Sequence, residues 1–176
     1  DKDTSGLILI AKNKYAAQQL ERQRANHTLS RVYLALAEGH WTNQSKSGLI
    51  DRPIEKVPEC FNRYQVADTG RPSRTEYEVL SEFTYEETPF SLVRLKLQTG
   101  RTHQIRVHMA SLSHPLLGDS IYGHEGFLGF DRAALHSFEI TCQLPGHQDL
   151  AVFSSEMPED FQKMIAKSIN FSSTLI

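Results

Sequence analysis

Along this chain, apolar residues fall mostly into short runs or two-residue alternation, and three stretches carry the wider spacing of an amphipathic helix. The run Gly-Leu-Ile-Leu-Ile-Ala at 6–11 is nearly unbroken, with β-branched content, and predicts a strand buried on both faces. Asn13 can cap a helix reaching about residue 25, where Tyr15, Ala16 and Leu20 form a modest apolar face among Gln, Arg and Lys. Val-Tyr-Leu-Ala-Leu-Ala at 32–37 predicts the next strand, ending at Gly39. Residues 40–58, rich in Asn, Ser, Gly and Pro, predict a loop with at most a short strand at Leu49 and Ile50. The turn Asp-Thr-Gly-Arg at 68–71 is expected to join a hairpin of residues 62–66 with 75–82, and 90–98 alternates as a further strand. After a turn at 99–102, Thr102 is placed to cap a helix over 103–112, which Ser-His-Pro at 113–115 ends. Loop follows at 117–131, then a strand over 135–142 and a last helix over 158–168 with Pro158 in its first turn. Strands outnumber helices and mostly succeed one another by turns. The expected class is therefore α+β, a mainly antiparallel mixed sheet flanked by helices.

With 176 residues the chain is expected to be a single domain, 1–176, long enough to bury roughly two thirds of its unfolded surface. A hydrophobic share of 39% and a charged share of 23% place it among globular proteins and away from the disordered ones. No apolar run approaches the eighteen or so residues of a membrane helix, and the start lacks a basic-then-apolar leader pattern, so no membrane is expected and the setting is read as cytoplasmic. Cys60 and Cys142 lie far apart without metal or redox spacing, and are read as reduced thiols. A formal net charge of -2 supplies no global footprint for nucleic acid, so any such surface must be a local basic patch. The chain opens without Met, running through Asp-Lys-Asp-Thr-Ser-Gly straight into an apolar stretch, and reads as cut from something longer.

Three segments carry candidate chemistry. Asp1 stands on a turn before an apolar run, where carboxylates commonly serve only as caps. Tyr33 sits near the start of a strand, the ordinary place of a half-buried aromatic. Gly-Arg-Thr-His-Gln-Ile-Arg-Val-His at 100–108 is less ordinary, because it gathers two arginines and two histidines at a helix N-terminus. Free backbone N–H groups there favour anions, and positive charge costs stability unless an anion answers it.

In order and spacing, these segments together resemble the RluA family of pseudouridine synthases, which isomerise selected uridines in structured RNA. Further similarity runs through Gly-Arg-Pro-Ser-Arg-Thr-Glu-Tyr-Glu-Val at 70–79, His-Pro-Leu-Leu-Gly-Asp-Ser-Ile-Tyr at 114–122 and Leu-His-Ser at 135–137. The resemblance implies that Asp1 holds the catalytic position, in a motif the family normally precedes with His-Arg-Leu. It maps the active-site tyrosine to Tyr33, and the arginine that pairs with the catalytic aspartate to Arg106. Such a reaction needs no cofactor and no metal. A carboxylate that is anionic at neutral pH needs no general base, only placement and desolvation, and a planar guanidinium can hold it ionised and aimed. Whether Asp1 attacks the anomeric carbon or removes a ribose proton stays open. Tyr33 offers a ring face for an extruded uracil and a hydroxyl for proton handling. Lys2, Arg31, Arg71, Arg74, Arg101 and His103 are candidates to grip the flanking phosphates. Ribosomal or transfer RNA is the implied partner, and a monomer is expected.

In that family the segment before the aspartate adds strands and an arginine. An unpaired sheet edge near residues 6–11, an exposed Asp1, weak activity of these residues alone, and roughly fifty or more preceding residues in the natural protein are therefore expected. A metal hydrolase would instead need His103, His108, His114 and Asp119 as ligands. His103 and His108 are five apart, about 140 degrees around a helix, and do not share a face. A non-catalytic module that binds structured RNA is the stronger rival, and turnover on a uridine-containing RNA separates it from an enzyme.

Overall fold

The computed structural model describes the backbone of residues 1–174 and the side chains of residues 1–169. Nine strands and three α-helices follow in the order β1 (Ser5–Gly6), α1 (Lys14–Ala25), β2 (Ser30–Glu38), β3 (Ser47–Asp51), β4 (Ile54–Lys56), β5 (Tyr64–Val66), β6 (Arg74–Tyr85), β7 (Thr88–Leu97), α2 (Gln104–Ser111), β8 (Leu135–Gln143), β9 (Leu150–Ser154) and α3 (Glu159–Thr174) among the described residues. Seven of the strands form one sheet ordered β1-β8-β2-β7-β6-β3, with β9 also pairing β8. Every ladder in it is antiparallel except the short parallel contact of β1 with β8. The class is α+β with a mainly antiparallel sheet, as the alternation predicts.

The central strands are buried on both faces, which is why their sequences read as near-continuous apolar runs. On one face Leu34 and Leu36 of β2, with Phe90 and Leu92 of β7, pack with Phe161 and Met164 of α3. On the other face Ala35, Ala37, Val93 and Leu95 meet Ile105 and Met109 of α2, with Trp41 and Leu116 completing the layer. Asn13 caps α1 as expected, its Oδ1 accepting the Ala16 N–H at 2.8 Å.

Several local expectations give way to tertiary structure. Residues 7–11 do not continue β1, and Ile8 and Ile10 are 82% and 72% exposed, so the apolar run is not a buried strand. Apolar content alone does not bury a segment; a neighbouring layer must cover it. The expected hairpin across 68–71 is also absent. β5 pairs instead with β4, inside the stretch read as loop, while β6 pairs with β3 and β7. The tight hairpin is β6–β7, turned by Glu86 and Glu87 at φ 46 and 62, a left-handed pair that residue type did not advertise.

Buried histidines link this core to pH. His108 of α2 sits between the Thr75 hydroxyl and the Arg52 carbonyl, both at 2.9 Å, while His136 of β8 faces Ser5 Oγ at 2.9 Å. Burial, the largest influence on each, lowers the pKa of both below the ordinary histidine value. As pH falls through about 6.5, the unfolded chain takes up these protons before the folded one, so stability present above that pH is lost below it. Thermal melts should show the midpoint falling from pH 7.5 to 5.5. A flat midpoint across that window would show that neither histidine is held neutral by the fold.

Candidate active site

Helix α2 begins without a side-chain cap. Its N-cap residue is His103, in the left-handed conformation at φ 55 and ψ 18, and the expected cap by Thr102 does not form. The work passes to Gln104, whose Oε1 accepts the Arg101 N–H at 3.0 Å and the Thr99 hydroxyl at 2.8 Å. Its Nε2 donates to the Arg74 carbonyl and to Thr75 Oγ1. A buried amide thus ties the start of α2 to β6, and so sets where the next turn points.

Arg106 occupies that turn with its side chain only 3% exposed. Its Nε and one terminal nitrogen donate to the two oxygens of Asp119 at 2.7 and 2.6 Å, a fork-on-fork pair. The other terminal nitrogen donates to Asp1 Oδ2 at 3.0 Å. The expected pairing of Arg106 with Asp1 is present in the geometry, but the planar fork belongs to Asp119 and Asp1 receives a single bond.

Asp119 is fully buried and accepts two further bonds on Oδ1, from the backbone N–H groups of Ile121 and Tyr122. Gly118 makes its turn possible. At φ 68 it lies where a Cβ would come within 2.4 Å of the Arg132 carbonyl oxygen. The Arg106 charge at the positive end of α2 is therefore answered by the protein's own carboxylates. Sequence reasoning named Asp119 only as a metal ligand. The signal that could have found its role is an aspartate set between Leu117 and Ile121, since a buried carboxylate requires a cation.

Tyr33 reaches the same site through a bulge. The β2–β8 register shifts between Val32, opposite Glu139, and Tyr33, opposite Ser137. One extra residue on β8 locally increases the twist and redirects the side chains beside it. Tyr33 lines an open cleft of about 690 Å³ together with Asp1, Lys2, Arg31, Arg101, His103 and Arg106. The Asp1 carboxylate is 16% exposed in this cleft and keeps its ion pair, against the expectation that exposure would weaken it.

The remaining predicted residues divide. Arg31 donates to the Thr99 carbonyl at 3.2 Å and lies against Gly100, at the edge of the cleft. Arg71 lines a neighbouring cleft with Lys56 and Arg101. Arg74 lines neither, and pairs with Asp51 at 2.9 Å on the surface. The side chain of His103 is 6% exposed and faces Asp1 rather than the outer surface. Burial, and then the nearby Arg106 charge, lower its pKa.

The metal reading loses its ligands to other contacts. Asp119 is taken by Arg106, His108 by Thr75 and Arg52, and His114 stacks on Trp41 at 4.1 Å. No group of three His, Cys, Asp or Glu among the described residues is arranged for a metal.

A seven-stranded, mainly antiparallel sheet thus brings an aspartate, an arginine and a tyrosine to one cleft. Comparison with known proteins narrows this. The family model for RNA pseudouridylate synthase matches residues 1–111, and the chain belongs to that family, in its RluA-type branch. It is 37% identical over 173 residues to ribosomal large subunit pseudouridine synthase D of Nitrosomonas europaea, covering 94% of this chain and 48% of that protein. To the protein of the same name from Escherichia coli strain K12 it is 35% identical, covering 93% and 55%. The chain thus spans about half the length of these curated relatives. The solved human RNA pseudouridylate synthase domain containing 1 superposes with a TM-score of 0.75 at 31% identity, covering 94% of this chain and 69% of that one.

Because Arg106 serves two carboxylates, removing either side should read out differently. Asp119→Ala should cost about 3–5 kcal/mol of stability, the usual consequence of leaving a buried ion unanswered. Urea unfolding measures it, and an unchanged midpoint would show that the fork is ornamental.

Proposed function

We propose that this protein is an RNA pseudouridine synthase with Asp1 as its nucleophile, acting on uridine in structured RNA of the ribosome or of transfer RNA. The observation that carries the reading is the Asp1 carboxylate, bonded to buried Arg106 at 3.0 Å and opening on a cleft also lined by Tyr33. A uridine within a stem cannot reach such a recess and must leave its stack. The cleft volume of about 690 Å³ accommodates a nucleoside with part of its backbone.

The reaction breaks the bond from the sugar to ring nitrogen 1 and makes one to ring carbon 5, with the carbon-bound proton finally replaced by one on nitrogen. It needs neither redox partner nor donor. Arg106 keeps the carboxylate charged and aimed, and Asp1 either attacks the anomeric carbon or removes a ribose proton. Tyr33 supplies a stacking face and a hydroxyl within the same cleft. Lys2, Arg31 and Arg101 on its walls, with Arg71 in the adjoining cleft, suit the flanking phosphates. Among the candidate RNAs, the large-subunit ribosomal RNA in the names of the relatives is the first to test. No described helix is long and apolar enough to cross a membrane, and a cytoplasmic, monomeric protein with 1–176 as one catalytic domain completes the reading.

Asp1→Asn in the complete natural protein should abolish uridine isomerisation while leaving RNA affinity within about twofold, because shape is kept and nucleophilic charge is lost. Near wild-type turnover would overturn the mechanism, and binding without turnover in the wild type would favour a non-catalytic RNA module. Arg106→Lys should slow the reaction by more than about tenfold, or 1.4 kcal/mol in barrier, since one ammonium cannot serve both carboxylates. Tyr33→Phe separates the ring from its hydroxyl. Retained RNA affinity with slowed turnover is expected, and wild-type rates would remove the proton-handling role.

A further inference from the structure

One cluster at the site is used by nothing so far. His103 adopts φ 55 without being glycine, an uncommon left-handed conformation that persists where the surroundings enforce it. Two aromatic rings do so here. Tyr64 and Tyr122 both meet the imidazole edge-on, at centroid distances of 5.7 and 5.6 Å. The Tyr122 hydroxyl lies 2.9 Å from His103 Nδ1 and also accepts the Tyr64 backbone N–H at 2.9 Å. On the far side of the ring, His103 Nε2 is 3.9 Å from Asp1 Oδ2.

Hydrogen-bond accounting selects one arrangement. With the Tyr64 N–H donated to the Tyr122 oxygen, the phenolic O–H has His103 Nδ1 as its acceptor. Nδ1 is then unprotonated, and the imidazole proton resides on Nε2, directed at Asp1. The opposite tautomer would aim a lone pair at a carboxylate across 3.9 Å and deprive the Tyr122 O–H of Nδ1 as its acceptor. From the Tyr64 backbone a donor chain thus runs through Tyr122 to His103, whose Nε2 lies 3.9 Å from the Asp1 carboxylate. Tyr122 is itself positioned by Asp119, which accepts its backbone N–H, and its ring lies 5.2 Å from the Arg106 guanidinium carbon.

We propose that His103 is a positioning residue for the nucleophile, a neutral Nε2–H donor whose tautomer Tyr122 fixes and which closes on Asp1 when substrate fills the cleft. This rests on the reading of Asp1 as nucleophile. Arg106 gives Asp1 only one bond, and a carboxylate held at one point can still swing about it. A second donor from another direction fixes the plane of the carboxylate and so its attacking lone pair. Neutrality matters as much as direction, since a second full positive charge would hold the carboxylate too tightly to react. Burial and the Arg106 charge both resist protonation of this imidazole, whereas Asp119 and Asp3 favour it. Contacts of this kind are often long in an empty site and tighten with substrate bound.

Two measurements decide it. The first uses ¹⁵N-histidine in the complete natural protein without RNA, where ring nitrogen shifts should place the His103 proton on Nε2 at pH 7.5. A proton on Nδ1 overturns the proposal whatever the activity. The second compares turnover of Tyr122→Phe, His103→Gln, His103→Ala and the Tyr122→Phe/His103→Gln double variant on a uridine-containing RNA. Tyr122→Phe should lower kcat about tenfold with KM changed less than twofold, and should shift the His103 resonances towards a mixture of tautomers. His103→Gln, which keeps an N–H donor, should retain more kcat than His103→Ala, and Tyr122→Phe should add less than twofold on the His103→Gln background. A KM effect without a kcat effect, equal kcat for Gln and Ala at position 103, or fully additive losses would each overturn it. If the wild type binds RNA but isomerises nothing, the reading of function fails instead, and the tautomer measurement still stands by itself.

Discussion

A single guanidinium shared by two carboxylates is the constraint on which this structure turns. Arg106 is buried, and a buried charge is tolerated only when it is paired and fully hydrogen-bonded. Asp119 meets that demand with its fork-on-fork contact, and its own spare lone-pair sites are filled by two backbone N–H groups. Of the three N–H groups that remain on Arg106, one is donated to Asp1. The division of labour has a chemical logic. The fully buried carboxylate takes the tight, bidentate bond, and Asp1, the proposed nucleophile, takes a single bond that leaves its other oxygen free of Arg106.

The fold exists, from the site's point of view, to deliver three distant pieces of chain to that guanidinium. Burial of β2 on both faces fixes the sheet centre, and Ile105 and Met109 of α2 lock the helix onto one side of it. Gln104 ties the helix start to β6, so Arg106 has little freedom in where it emerges. The turn after Gly118 carries both Asp119 and Tyr122, so one short loop supports the two groups that face Asp1, Arg106 and His103. Coupling these contacts in one loop means that Asp119 supports both groups that face Asp1.

Much of this was legible without coordinates, and the failures are instructive. The buried strands β2, β7 and β8 and the Asn13 cap followed from alternation and local hydrogen-bonding chemistry, which depend on neighbours in sequence. The run at 6–11 was misread because its hydrophobicity says nothing about which layer covers it, and Ile8 and Ile10 stand exposed. The β4–β5 pairing was missed because strands of three residues between turns carry almost no periodic signal. His103 in place of Thr102 at the head of α2 escaped for another reason. Cap preference points to the threonine, whereas the left-handed His103 is held between Tyr64 and Tyr122, contacts that only the tertiary structure brings together.

The amino-acid sequence by itself determined the class of fold, the family, and the three residues Asp1, Tyr33 and Arg106 as the chemistry to look for. These rest on motif identity and on hydrophobic period, which are written in linear order. Only the tertiary structure decided how they work together. That the Arg106 fork goes to Asp119, that Tyr33 pairs with Ser137 beside a bulge on β8 at the cleft, and that His103 turns inward to Asp1 are contacts between residues 13 to 105 positions apart. Each is settled by competition among buried groups for a limited set of partners. That competition takes place in a desolvated interior where every charge must be answered, and no local stretch of sequence contains it.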